Sequence, residues 1–384
     1  MKRHFTCALA VSFSLVGACN GSDSSPDAVA DAEGGGQPNG SDLDASSPID
    51  GGSGATSPDA DSEAHANYAF LTSSLHTGDL GGVEGADEIC NSRASEADLP
   101  GTYVAFLATD DQTALERLDG ARGWMRTDGR PLADRVEDLA VGRVFHPLNV
   151  FETGESVGLP SPSDYNIVWT GIDGAAETSP SRCQDWDSAD ASESGQTGES
   201  RAGATTFMTS FARACASPRP IYCFGTGEEA RVEPEATGRL AFVTRDVVRG
   251  DAGRSEFDDV CQSEADRAGH DGSFLAAVDM SDSPAADRFS LSGETWVRPD
   301  GAKVFADAAD LEEFRPITPI AVTADGEDHL IESVWTGENE NCDDWENAEA
   351  GGTSGRSDFS GHVGRSEGVA GDCSSAHRLY CFEF

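Results

Sequence analysis

The chain has 384 residues, and 69 acidic side chains against 26 basic ones give a formal net charge of −43. A surface of that sign repels a phosphate backbone, an anionic bilayer face and a sulfated polysaccharide, which excludes nucleic acid as a partner and leaves no basic surface for heparin-like ligands. The plain reading of the charge is solubility and non-adhesion; the sharper one is that clustered carboxylates bind divalent cations.

Lys2, Arg3 and His4 precede an apolar run from Cys7 to Val16, which ends in Leu15-Val16-Gly17-Ala18-Cys19. This pattern predicts an export signal over residues 1–18, too short to cross the hydrocarbon core as a helix. The small residues before Cys19 resemble the lipobox of bacterial lipoproteins, with valine at Val16 where leucine is commoner. In that reading Cys19 is acylated and becomes the mature N-terminus; Val16-x-Ala18 would also suit an ordinary secretory signal. Residues 19–66 read as a disordered acidic tether. From Asn20 to Ala66 there are ten acids, no lysine or arginine and almost nothing large and apolar, so burial cannot offset the entropy of ordering. As a random coil the tether would hold the rest of the chain roughly 35–40 Å from its anchor.

Beyond the tether the chain repeats itself. Cys90, Trp124, Trp169, Cys183, Trp186, Cys215 and Cys223 recur in order as Cys261, Trp296, Trp335, Cys342, Trp345, Cys373 and Cys381, which accounts for all six tryptophans and eight of the ten cysteines. The offset is 172 at Trp124, 166 at Trp169, 159 at Cys183 and 158 at the last cysteine, so the copies differ by loop deletions. The repeat predicts two domains, 67–225 and 238–384, with a linker over 226–237. Four cysteines per exported domain predict two disulfides each, with three connectivities open. Zinc spacing is absent, since the nearest cysteines within a copy, such as Cys215 and Cys223, are eight apart.

Within each copy the elements run in one order. Short strands are expected at Tyr68 to Thr72 and Leu240 to Thr244, and at the ends, Pro220 to Phe224 and Arg378 to Phe384, where they could pair with the openers. Helical spacing joins Ala86, Ile89, Cys90, Ala94 and Ala97, and likewise Phe257, Val260, Cys261, Ala265 and Ala268. A strand follows at Thr102 to Leu107 and at Ser273 to Val278, then hairpins at Asp128-Gly129 and Asp300-Gly301. Val168-Trp169-Thr170-Gly171 and Val334-Trp335-Thr336-Gly337 predict central strands, followed by long glycine-rich polar loops. The fold class expected is α+β with a loop-heavy second half.

Gly81-Gly82-x-x-Gly85-Ala86-Asp87-x-x-Cys90, Leu99-Pro100-Gly101-Thr102-Tyr103-x-Ala105-Phe106-Leu107, Val168-Trp169-Thr170-Gly171, Cys183-x-x-Trp186 and Ile221-Tyr222-Cys223-Phe224 resemble endostatin, the C-terminal domain of certain collagens. They resemble still more an uncharacterised domain family of bacterial lipoproteins with the same C-type-lectin-like fold. The second copy departs at its start, where Gly250-Asp251-Ala252-Gly253 replaces the fuller glycine run. The resemblance implies two tandem C-type-lectin-like domains with nested disulfides: Cys90 with Cys223, Cys183 with Cys215, Cys261 with Cys381, and Cys342 with Cys373.

Candidate chemistry is sparse. Gly154-Glu155-Ser156-Val157-Gly158 and Gly364-Arg365-Ser366-Glu367-Gly368 satisfy Gly-x-Ser-x-Gly, but neither has a strand before and a helix after, and they do not fall at equivalent positions. His76, His146, His270, His329, His362 and His377 are scattered, with exposure expected for most. Glu338 to Glu346 packs five carboxylates and two amides into nine residues; Glu338, Glu340, Asp343 and Asp344 are the candidate ligands for a calcium ion, the one cofactor considered, with Gln184, Asp185 and Asp187 a thinner counterpart. The tryptophans read as core. The functional expectation is a lipid-anchored protein of the bacterial envelope, at the outer membrane or cell surface, that recognises an unknown protein or glycan. It is not expected to be an enzyme; a structural envelope protein is the first alternative and a serine hydrolase the disfavoured one.

Overall fold

A computed structural model of the protein describes residues 66–157, 163–234, 237–290, 295–366 and 370–384. The expectations for the signal, for Cys19 and for the tether up to residue 65 lie outside them. Among the described residues no helix is long and apolar enough to cross a membrane.

The chain is α+β, and each copy is built on a small mixed sheet. The opening strand Asn67–Leu71 runs antiparallel to the closing strand Tyr222–Gly225, with Phe70 opposite Cys223, and parallel to Trp124–Arg126. In the second copy Arg239–Val243 stands between Trp296–Val297 and Ala376–Glu383 with the same polarity, Phe242 opposite Cys381. The ends of each copy therefore do pair. Tyr103–Ala105 and Phe274–Ala276 add to the far side of the closing strands.

Strand alternation carries two cores per copy. Ala69, Leu71, Tyr222 and Phe224 face one apolar cluster, while Phe70, Ile221 and Cys223 face another. The second copy divides Ala241, Val243, Tyr380 and Phe382 from Phe242, Leu379 and Cys381 in the same way. Both faces of the sheet are buried, which is why these strands read as nearly unbroken apolar runs.

One long helix covers a face in each copy, Gly82–Glu96 and Arg254–Ala268, burying Cys90 and Cys261. It is fastened by a duplicated polar clamp. Asp87 accepts from Ala105 N at 2.8 Å and from Arg117 at 2.6 Å; Asp258 accepts from Ala276 N at 2.9 Å and from Arg288 at 2.7 Å. The Asp-Gly hairpins close with Gly129 and Gly301 in the left-handed region, at φ +83° and +85°, a conformation that costs glycine little.

The copies pack against each other along a reciprocal seam. Gly203 N donates to Asp358 O at 2.7 Å and Ser360 N donates to Arg201 O at 3.0 Å, on either side of a bridge between Ala202 and Phe359. Gly203 and Ser360 are equivalent positions in the two copies, as are Arg201 and Asp358. The contact is thus self-complementary, like the interface of a two-fold dimer. Farther along, Thr318 meets its own equivalent, His146, at 2.9 Å and donates to Phe145 O at 2.6 Å. The described part of the connection between copies turns back onto the first, where Val232 N donates to Asp134 at 2.9 Å.

Candidate functional site

The loop-rich half of each copy is organised around Cys-x-x-Trp, and its backbone is unusual. All four residues from Cys183 to Trp186 have positive φ (+51°, +56°, +55° and +69°), and so do Cys342 to Trp345 (+58°, +51°, +60° and +67°). Trp186 N donates to Arg182 O at 2.9 Å and Trp345 N to Asn341 O at 2.8 Å, closing one left-handed helical turn in each copy. Such a turn costs an L-residue roughly 1–2 kcal/mol per position, so the surroundings must over-determine it.

They do so with buried groups. Cys183 bonds Cys215 and Cys342 bonds Cys373, while Cys90 bonds Cys223 and Cys261 bonds Cys381. The Trp186 indole donates to Ala108 O at 2.8 Å and the Trp345 indole to Asp279 O at 3.0 Å. Trp169 and Trp335, packed against them, donate to His76 O and Val248 O, both at 2.9 Å. Trp124 and Trp296 reach the closing strands, at Gly225 O and Glu383 O. All six indoles are core groups with satisfied N–H donors, as buried tryptophan requires.

The acidic loop around Cys342 disperses its carboxylates. Asp344 accepts from Ser281 N at 2.7 Å, and Asp343 accepts from Asn347 at 2.7 Å. Glu338 faces Arg365 and His362, each at 3.7 Å, and Glu340 lies over Gly351. Asp344 is held below the usual carboxylate range, first by the Ser281 backbone N–H. Its counterpart Asp185 accepts from Asp110 N at 3.1 Å. The aspartate shared by both copies thus ties the left-handed turn to the loop between the strand after the long helix and the next strand. Among the described residues no group of three or more His, Cys, Asp or Glu side chains is placed to hold a metal ion.

The remaining sequence candidates are also spread out. Ser156 sits exposed in a bridge with Val150, and Ser366 is buried after the short turn His362–Arg365; Gly158, Glu367 and Gly368 lie outside the described residues. The expectation that most of the six histidines are exposed is corrected. Of these six only His362 is exposed; His146 is buried in the seam, and His76, His270, His329 and His377 are half-buried. His377 packs edge-on against Trp335 with ring centroids 4.2 Å apart.

Sequence reading missed the Asp87–Arg117 and Asp258–Arg288 clamps, although both members recur at one offset of 171 and an alignment of the copies could have found them. The seam left no such signal, because its facing residues differ between copies. No protein-family profile matches the chain, and no curated protein matches it.

Proposed function

We propose that the chain is an envelope lipoprotein, anchored through Cys19, that displays two C-type-lectin-like domains for recognition of a protein or glycan at the bacterial surface. The observation that carries this reading is the preorganised loop scaffold found twice over, in which a buried disulfide, a buried indole and a left-handed turn fix surface loops before any ligand arrives. Preorganisation of that kind lowers the ordering cost of binding. The nested cysteine pairing, first with last and second with third, is the one that the resemblance implies and supports the lectin-like reading of the fold. Fold alone does not assign a ligand.

The test is a screen of the full chain against glycan arrays and envelope extracts, with and without calcium, beside lipid labelling of wild type and Cys19→Ser. Specific capture with loss of label in the variant is expected. A chain that captures nothing, or whose labelling survives the variant, overturns the corresponding half of the proposal.

A further inference from the structure

The repeat runs farther toward the N-terminus than the first strand. Glu63-Ala64 and Glu235-Ala236 keep the offset of 172 that relates Asn67–Leu71 to Arg239–Val243, with acids again at Asp61 and Glu233. A random tether has no reason to stay in register with a folded repeat. In the second copy the segment before the strand has a seat. Pro234, at the position of Ser62, lies 3.4 Å from where a Cβ on the hairpin glycine Gly301 would stand. Val297, on the strand that leads into this hairpin, is 4% exposed.

The first copy has the matching seat. Tyr68, Pro100, Gly101, Met125 and Gly129 line a cavity of about 320 Å³, in which Glu228 is the one charged residue among the described lining. Met125, the equivalent of Val297, is half-buried rather than buried. Among the described residues, a Cβ on Gly129 would meet nothing within 4 Å. Gly225 opens the other end of the cavity. In its place the second copy has Glu383, whose side chain lies against Gly272 and accepts from Leu240 N at 2.8 Å. Gly101, the equivalent of Gly272, has no such neighbour among the described residues. Ala66, where the described chain begins, is itself part of the wall, so the residues just before it start at the cavity.

We propose that residues 61–65 belong to the first domain rather than to the tether, and dock in this cavity with Ser62 against Gly129 as Pro234 is against Gly301. Continued as extended chain, the period of two puts Ser62 and Ala64 on the side of Ala66 and Tyr68, and the acids Asp61 and Glu63 on the other. Small side chains then cover the apolar floor while the carboxylates stay in water, away from Glu228. Because the segment is joined at Ala66, its docking is intramolecular and a small contact suffices. The tether proper then ends at residue 60 and leaves the first copy beside the Asp128-Gly129 hairpin. Under the lipoprotein reading this hairpin end is the one turned toward the anchor; the docking itself does not depend on that reading.

Scanning calorimetry of the full chain tests the docking. Replacing residues 61–64 by glycine leaves every described residue in place, and should lower the melting temperature by roughly 2 °C or more. The same replacement at residues 42–45 should change nothing, and equal melting temperatures for the two variants overturn the proposal. Proteolysis with a glutamate-specific enzyme locates the contact, since Glu33 and Glu63 are the only glutamates before Ala66. Cleavage at Glu63 should be about tenfold slower than at Glu33, because it follows the undocked population. Met125→Asp, which sets a carboxylate in the cavity floor, should bring the two rates together. Equal rates in the wild type, or a ratio unchanged in the folded variant, overturn docking at this cavity; should Met125→Asp not fold, the calorimetric pair decides.

Discussion

Arg298, buried to 1% exposure, donates from Nη2 to the backbone carbonyl of Val144, 154 residues away. A charge of the second copy is thereby solvated by the main chain of the first. Burial pushes the partner Asp300 carboxyl up, but the charge and hydrogen bonds of Arg298 outweigh it and hold the group below the usual range.

Removing Arg298 would leave Asp300 without its cation and Val144 O without its donor. Arg298→Met is expected to destabilise the protein by about 3–5 kcal/mol, the cost of breaking a buried ion pair from one side. Urea denaturation measures it, and a loss under about 1 kcal/mol would show that the seam does not depend on this guanidinium.

The reciprocal hydrogen bonds at Gly203, Asp358, Arg201 and Ser360 couple the copies. Scanning calorimetry should therefore show one transition, with calorimetric and van't Hoff enthalpies in agreement. Two resolved transitions would mean that the copies unfold independently.

The left-handed turns offer a test in which glycine stabilises. Gln184 is exposed at φ +56°. Gln184→Gly should gain about 0.5–1 kcal/mol, because relief of the left-handed penalty exceeds the added chain entropy. Gln184→Val should lose stability by a comparable or larger amount, and equal melting temperatures for the two variants would contradict the strain.

Two imidazoles set the acid response. His329 is lowered from 6.5 to about 3, by burial and then by the Arg298 charge, and His146 is lowered well below its ordinary value by burial and three arginines. The unfolded chain therefore takes up protons that the folded one refuses, and these groups' contribution to stability is complete above about pH 6.5 and falls as pH drops toward about 3. Urea midpoints at pH 7.5 and pH 4.5 should differ, and His146→Gln should narrow the gap. An unchanged gap would assign the acid sensitivity elsewhere.

Calcium can be tested directly. With Asp344 tied to Ser281 N and Asp343 to Asn347, EDTA should leave the melting temperature of the full chain unchanged. A fall on chelation, reversed by calcium, would show that the loop around Cys342 rearranges to bind the ion.

Much of the scaffold was legible because it is written twice. The strand ends, the helix bearing Cys90, the Asp-Gly hairpins and the buried tryptophans follow from periodicity and repetition, which are local or duplicated signals. The left-handed turn at Cys183 to Trp186 was not legible, since Gln184, cysteine and tryptophan have no preference for that region and tertiary bonds impose it. Nor was the cavity that Arg130 and Arg315 line from the two copies, 185 positions apart in the chain.

The matching of Gly203 with Ser360 and of Arg201 with Asp358 has a consequence for assembly. A face of one copy that fits the other would fit that other copy in a second molecule as well, so the same contact would be available between two chains that each carried one copy. Joining the two in one chain makes that pairing intramolecular, at an effective concentration set by the short connection rather than by expression level.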